Sequence, residues 1–146
     1  MRKGHTLLEL LIVLALIGLL IGTVIPGSAA LADRLAVEHQ AARLLTAYRS
    51  AWVAARMQQR LAVLRISADT LSIRTVRSAN DPDTLLAWLA PGPSQGGVTL
   101  ASAPHTSVFG PDGLGMGLAN TTHVLVKGGA TRKVVVSRLG RVRIIP

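Results

Sequence analysis

The strongest pattern along the chain is an apolar block near its start. Residues 10–25 (LLIVLALIGLLIGTVI) are sixteen uncharged residues in succession, and extension back to Leu7 makes nineteen, with Glu9 the single acid. At about 1.5 Å per residue a nineteen-residue helix reaches roughly 28 Å, close to the hydrocarbon core of a bilayer, about 30 Å. Arg2 and Lys3 precede the block. The positive-inside rule therefore puts the N-terminus in the cytoplasm and everything after residue 26 on the far side.

From Ser28 to about Arg60 the pattern becomes helical, with no Gly or Pro to interrupt it. Leu31, Leu35, Ala42, Leu45, Trp52 and Ala55 recur at three-, four- and seven-residue spacing. Arg34, Arg43, Arg49, Arg56 and Arg60 lie mostly off that stripe. The pattern predicts an amphipathic helix packed on a sheet and continuous with the apolar block, loosened at Pro26. Tyr48 and Trp52 are expected to be core contacts.

Beyond residue 60 the period drops to two. Leu61–Ser67 and Thr70–Arg77 read as strands joined by a tight turn at Ala68-Asp69. Leu85–Leu89, Val98–Ala101 and Thr106–Phe109 are short apolar strands between loops rich in Pro, Gly, Asn and Asp. His123–Lys127 and Arg132–Arg138 form a hairpin across Gly128-Gly129-Ala130, and Arg141–Ile145 is the last strand. A long helix followed by antiparallel strands is an α+β arrangement.

Composition removes several functions. With no Cys there is no disulfide framework, thiolate metal site or Cys nucleophile. One Tyr, one Phe and two Trp leave little for an aromatic stacking platform. His5, His39, His105 and His123 are scattered, with no HExxH and no carboxylate at ligand spacing. Gly113-Leu114-Gly115-Met116-Gly117 lacks the lysine of a phosphate-binding loop, and no nucleophile elbow is present. Asn120-Thr121-Thr122 matches a glycosylation sequon by coincidence. The expectation is no enzyme, no cofactor, no metal and no small-molecule substrate.

Charge adds a clue to partners. Lys+Arg number 16 against 7 Asp+Glu, a formal net charge of +9. No acid follows Asp112, whereas Lys127, Arg132, Lys133, Arg138, Arg141 and Arg143 do. In an extended strand Arg141 and Arg143 share one face about 7 Å apart, and Val142 and Ile144 share the other. Two guanidinium forks on one face suit neighbouring phosphates.

Arg2-Lys3-Gly4-His5-Thr6-Leu7-Leu8-Glu9-Leu10 resembles the type IV pilin signature. The resemblance implies cleavage by prepilin peptidase between Gly4 and His5, N-methylation of His5 (where the family usually has Phe), and retention of the apolar helix. It implies that Glu9 meets the N-terminal amine of a neighbouring subunit during assembly, with Pro26 loosening the helix. An unpaired carboxylate in a bilayer costs about 2.5–3.5 kcal/mol on insertion scales. Phe109-Gly110-Pro111-Asp112-Gly113 and Val134-Val135-Val136-Ser137-Arg138-Leu139-Gly140-Arg141-Val142-Arg143 further resemble the GspH/FimT branch of minor pseudopilins and minor pilins. Residues 78–105 fall outside the match.

The implied organisation is a leader over 1–4, a transmembrane and filament-core helix over 5–26, an amphipathic continuation over 27–60 and a pilin-like antiparallel β-domain over 61–146. The implied location is the bacterial inner membrane, single-pass, with a periplasmic C-terminal domain, and then a filament. The first functional expectation is a minor pseudopilin of a type II secretion pseudopilus, assembling with other pilins. The second is a FimT-like minor pilin that binds DNA for uptake. In that branch the Gly140-Arg141-x-Arg143 tail is linked to DNA, with Lys133, Arg138, Arg141 and Arg143 as candidate contacts. The third is a soluble domain released by signal peptidase after Ala32, since Ala30-Leu31-Ala32 offers an A-x-A site.

Overall fold

The computed structural model describes residues 6–77, 84–116, 120–137 and 139–146, with residues 21–27 described by their backbone alone. Two compact units divide the chain, residues 1–32 and residues 33–146.

One long helix, α1 (Leu7–Gln58), opens the fold. Thr6 caps it: its Oγ1 accepts the Glu9 backbone N–H at 3.3 Å. The helix stops where Gln59 takes a positive φ of 51° and the Arg60 N–H reaches back to the Ala55 carbonyl at 3.2 Å. Pro26 lies within these bounds and does not end the element. One proline withholds a single N–H from the helical ladder.

Strands follow in antiparallel order: β1 (Leu61–Ile66), β2 (Thr70–Val76), β3 (Leu85–Pro91), β4 (Thr99–Leu100), β5 (His105–Phe109), β6 (Gly115–Met116), β7 (Thr121–Lys127), β8 (Ala130–Val136) and β9 (Val142–Ile145). A short 3-10 turn, Pro93–Gly96, precedes β4. The strands form two sheets, β3-β2-β1-β5-β6 and β4-β7-β8-β9. The long helix and antiparallel strands agree with the expected α+β fold. The division into two sheets depends on pairings such as Ala62↔Phe109, which join segments far apart in sequence.

Within residues 33–146 the helix buries Val37, Ala41, Leu44, Tyr48, Ala51 and Ala55, at alternating four- and three-residue spacing. Against it pack Ala62, Leu64 and Ile66 of β1, Leu71 and Ile73 of β2, Leu125 of β7, and Val134 and Val136 of β8. Alternate residues of each strand therefore face α1, and the others face away.

The buried stripe differs from the expected one. Of the residues expected there only Ala55 is fully buried; Leu35 is 61% and Trp52 37% exposed. Apolar residues recur at helical spacing on more than one side of this helix, so period alone does not choose the buried side. The sheets select the alanine-rich side, where small side chains allow close approach. Tyr48 is a core contact as expected, at 1% exposure. Trp52 instead lies partly open, with the Arg56 guanidinium 4.9 Å from its ring centre.

Candidate functional site

Three features carry function-bearing residues. The first is the start of α1. Thr6, Leu7, Leu8 and Glu9 have the spacing of a capping box, with Glu9 in the first turn. A carboxylate there is favoured by the positive end of the helix dipole. The capping role of Thr6 is absent from the sequence-based expectations; its T-x-x-E spacing is the signal that carries it. The cleavage residues Gly4 and His5 lie outside the described residues. From Leu7 to Leu20 every large apolar side chain is open, from 46% at Val13 and Ile17 to 77% at Leu7. Among the described residues no helix is long and apolar enough to cross a membrane.

The second feature is a buried polar chain where α1 and both sheets meet. The Tyr48 hydroxyl lies 2.7 Å from His123 Nε2 and 3.2 Å from Ser107 Oγ. His123 Nδ1 lies 3.4 Å from Ser102 Oγ. One assignment satisfies all three contacts: Ser107 donates to Tyr48, Tyr48 donates to Nε2, and Nδ1–H faces Ser102. His105 stands beside His123, with ring centres 5.6 Å apart, and its Nε2 is 3.2 Å from Thr121 Oγ1.

Burial pushes the Tyr48 phenol up to about 12, opposed by its Ser107 bond. Burial, helped by the charge of His105, pulls His123 down to about 4. The chain holds hydroxyls and imidazoles but no carboxylate to orient the histidine. The two histidines look scattered in the linear order. The signal that brings His123 inward is strand alternation, which places it on the same side as Leu125.

The third feature is the basic tail. Register pairs Val134 with Ile144 and Val136 with Val142 on the helix-facing side, and Val135 with Arg143 and Lys133 with Ile145 on the outer side. Lys133, Arg141 and Arg143 are exposed; Arg143 faces outward on β9, whereas Arg141, expected within the last strand, precedes it at the turn. Gly140 makes the turn with a φ of 74°, which a side chain would resist. The turn is closed by Gly140 N–H to the Ser137 carbonyl and Ser137 N–H to the Arg141 carbonyl, both at 2.9 Å.

The structure separates the tail's cations into two groups. Lys127 Nζ lies 3.9 Å from Asp33, and Arg132 Nη2 lies 3.2 Å from Glu38. Both acids belong to α1, so these two cations tie β7 and β8 to the helix. Lys133, Arg141 and Arg143 have no ion-pair partner among the described residues; Arg138 lies outside them. No cluster of His, Asp and Glu able to hold a metal occurs among the described residues.

Comparison with known proteins now decides the family. Residues 1–25 match the family described as the prokaryotic N-terminal methylation motif. The chain is 31% identical to the pilin-like protein PilA1 of Thermus thermophilus, over 98% of each sequence. The chain belongs to the type IV pilin-like proteins. The fold of this pilin-like chain also resembles that of the type IV minor pilin FimU of Pseudomonas aeruginosa. In one crystal form the TM-score is 0.62 at 19% identity, covering 75% of this chain and 88% of FimU. In a second it is 0.56 at 17% identity, covering 75% and 92%. Pilin-like proteins are structural subunits.

Proposed function

We propose that this chain is a minor subunit of an inner-membrane-anchored, pilus-type filament. Prepilin peptidase removes residues 1–4, and the apolar helix first holds the chain in the bilayer and then joins the helices of neighbouring pilins. The observation that carries this reading is the open apolar surface of Leu7–Leu20. A surface of that kind needs lipid first and partner helices afterwards. Retention of this helix also opposes release after Ala32, since Ala30, Leu31 and Ala32 lie inside α1 rather than in an extended segment.

N-terminal sequencing of the mature protein tests the processing step. The expected first residue is His5, with the first-cycle derivative showing whether its amine is methylated. A mature chain beginning at Asp33 would overturn the reading.

Two settings share such a subunit, a type II secretion pseudopilus of the GspH kind and a type IV pilus of the FimT kind. The pilus setting, with the tail touching DNA, draws support from the outward-facing Lys133, Arg141 and Arg143. Among the described residues their charge meets no acid, unlike that of Lys127 and Arg132.

A further inference from the structure

The basic tail is matched by a second basic site on the other sheet. Arg65 of β1 and Arg74 of β2 both occupy outward positions and are exposed. In the β1–β2 register Arg65 stands opposite Ser72 and Arg74 opposite Val63. The two arginines are thus diagonal neighbours on one face, about 7–8 Å apart, close enough for their forks to converge on one ligand. On its other side Arg65 stands opposite Thr106 of β5. A concavity of about 250 Å3 lies here, lined by Val63, Arg65, Ser72, Arg74, Val76 and Thr84.

No described acid serves these arginines. Asp33 and Glu38 sit on α1 and pair with Lys127 and Arg132. Asp69 accepts the Ser94 hydroxyl at 2.6 Å, and Asp112 accepts the Leu114 N–H at 3.0 Å within its own turn. Neither the Arg65 nor the Arg74 side chain has a hydrogen bond or ion pair among the described residues. Like charges held together on a sheet face repel. An anion from outside would relieve that repulsion.

Both sheets carry exposed cations on the side turned away from α1, and on the first sheet these stand beside exposed leucines of β3, Leu86 opposite Arg74 and Leu89 opposite Ser72. One presents Arg65 and Arg74, the other Lys133 and Arg143, with Arg141 at the adjoining turn. Hydroxyls of Ser72, Thr106 and Thr122 lie among them at the outward positions.

The ligand class follows from what this face has and lacks. It has guanidinium forks and hydroxyls, the groups that hold phosphates. It lacks an aromatic on which a single-stranded base could stack. Tyr48 and Phe109 are buried, Trp52 is on α1, and Trp88 stands opposite inward-facing Ile73. It also lacks the buried aromatic anchors of a protein interface.

We propose that Arg65, Arg74 and Ser72 form a phosphate-binding site that extends the tail's contact to the second sheet, so that one double-stranded nucleic acid lies across both. The proposal rests on the reading of the tail as a DNA contact. Binding through such a face is sequence-independent and strongly weakened by salt.

The test uses the mature full-length chain in detergent with a labelled random-sequence DNA duplex, titrated over a series of salt concentrations. Each neutralised phosphate contact contributes about 0.9 to the slope of log K against log salt. R65Q/R74Q is expected to weaken binding and lower that slope by about 2. R141Q/R143Q is expected to do the same, and all four changes together to lower it by about 4. R65K/R74K, which keeps the charge, should retain most of the slope.

If R65Q/R74Q leaves the slope and affinity unchanged while R141Q/R143Q lowers both, the tail reading stands and the second site is wrong. If the unmodified chain does not retard the duplex, both are wrong. Displacement of the duplex by polyglutamate at equal charge concentration would make this face an acidic-protein site and overturn the assignment. So would binding of a single strand as tight as that of the duplex.

Discussion

Glu9→Leu is expected to leave the protein in the membrane fraction and remove it from filaments. The substitution lengthens an apolar helix, so insertion becomes easier. What it removes is the charge that assembly can satisfy. An ionised carboxylate in a bilayer environment costs about 2.5–3.5 kcal/mol, and a neighbouring amine in the filament would recover much of that. An energy of about 3 kcal/mol corresponds to roughly a hundredfold in an equilibrium, enough to exclude a subunit that competes for few places.

The charge of Glu9 must be separated from its place at the helix start. Glu9 sits at the third helical position behind Thr6, whose hydroxyl caps its own backbone N–H. Glu9→Gln keeps the helix start and the hydrogen-bonding capacity but discards the charge. If neutralisation drives assembly, Glu9→Gln should fail as Glu9→Leu does. Cell fractionation and immunodetection in sheared filaments measure the two steps separately. Normal incorporation of Glu9→Gln would show that the charge is dispensable.

The second large effect concerns pH. His123 is fully buried and holds the Tyr48 hydroxyl at 2.7 Å. Its folded pKa is lowered from an unfolded value of 6.5 to about 4. The unfolded chain therefore binds a proton that the native state refuses. The associated stability is fully present above pH 6.5 and is lost as pH falls from there through about 4. A depression of this size corresponds to on the order of 3 kcal/mol.

Chemical denaturation of residues 33–146 at pH 8, 6 and 4 checks this. His123→Leu should reduce stability at pH 8 by about 1–3 kcal/mol, since it removes the acceptor 2.7 Å from the Tyr48 hydroxyl and leaves it only the longer contact with Ser107. The same variant should flatten the decline below pH 6.5. Tyr48→Phe, which leaves Nε2 without its donor, should cost a similar amount at pH 8 yet keep the pH dependence. An unchanged acid slope in His123→Leu would show that other groups govern it.

Much of this was legible in the sequence because it was written in local periodicity. The apolar block and its single acid lie within one stretch of helix. The alternation in Leu61–Ile66 and Thr70–Val76 needs only period two to show its inner and outer sides. The facing of Arg143 against Val142 and Ile144 followed from the same alternation.

Other features depend on partners distant in the chain. Arg132 and Lys133 are adjacent and identical in sign, yet one is tied to Glu38 and the other faces outward. Arg65 and Arg74 became neighbours only through the β1–β2 register. His123 and Tyr48 are 75 positions apart, and neither signals the other in the linear order.

The sequence by itself determined the apolar N-terminal helix, the place of Glu9 within it, the antiparallel strands after residue 60 and the excess of positive charge. Each depends on residue type and short-range spacing, which a linear chain carries openly. Tertiary structure decided which side of α1 is buried, how the strands divide into two sheets, and which cations are consumed by helix acids and which are left to face outward. Those outcomes depend on pairings across tens of residues, where packing selects among faces and partners that local pattern leaves equivalent.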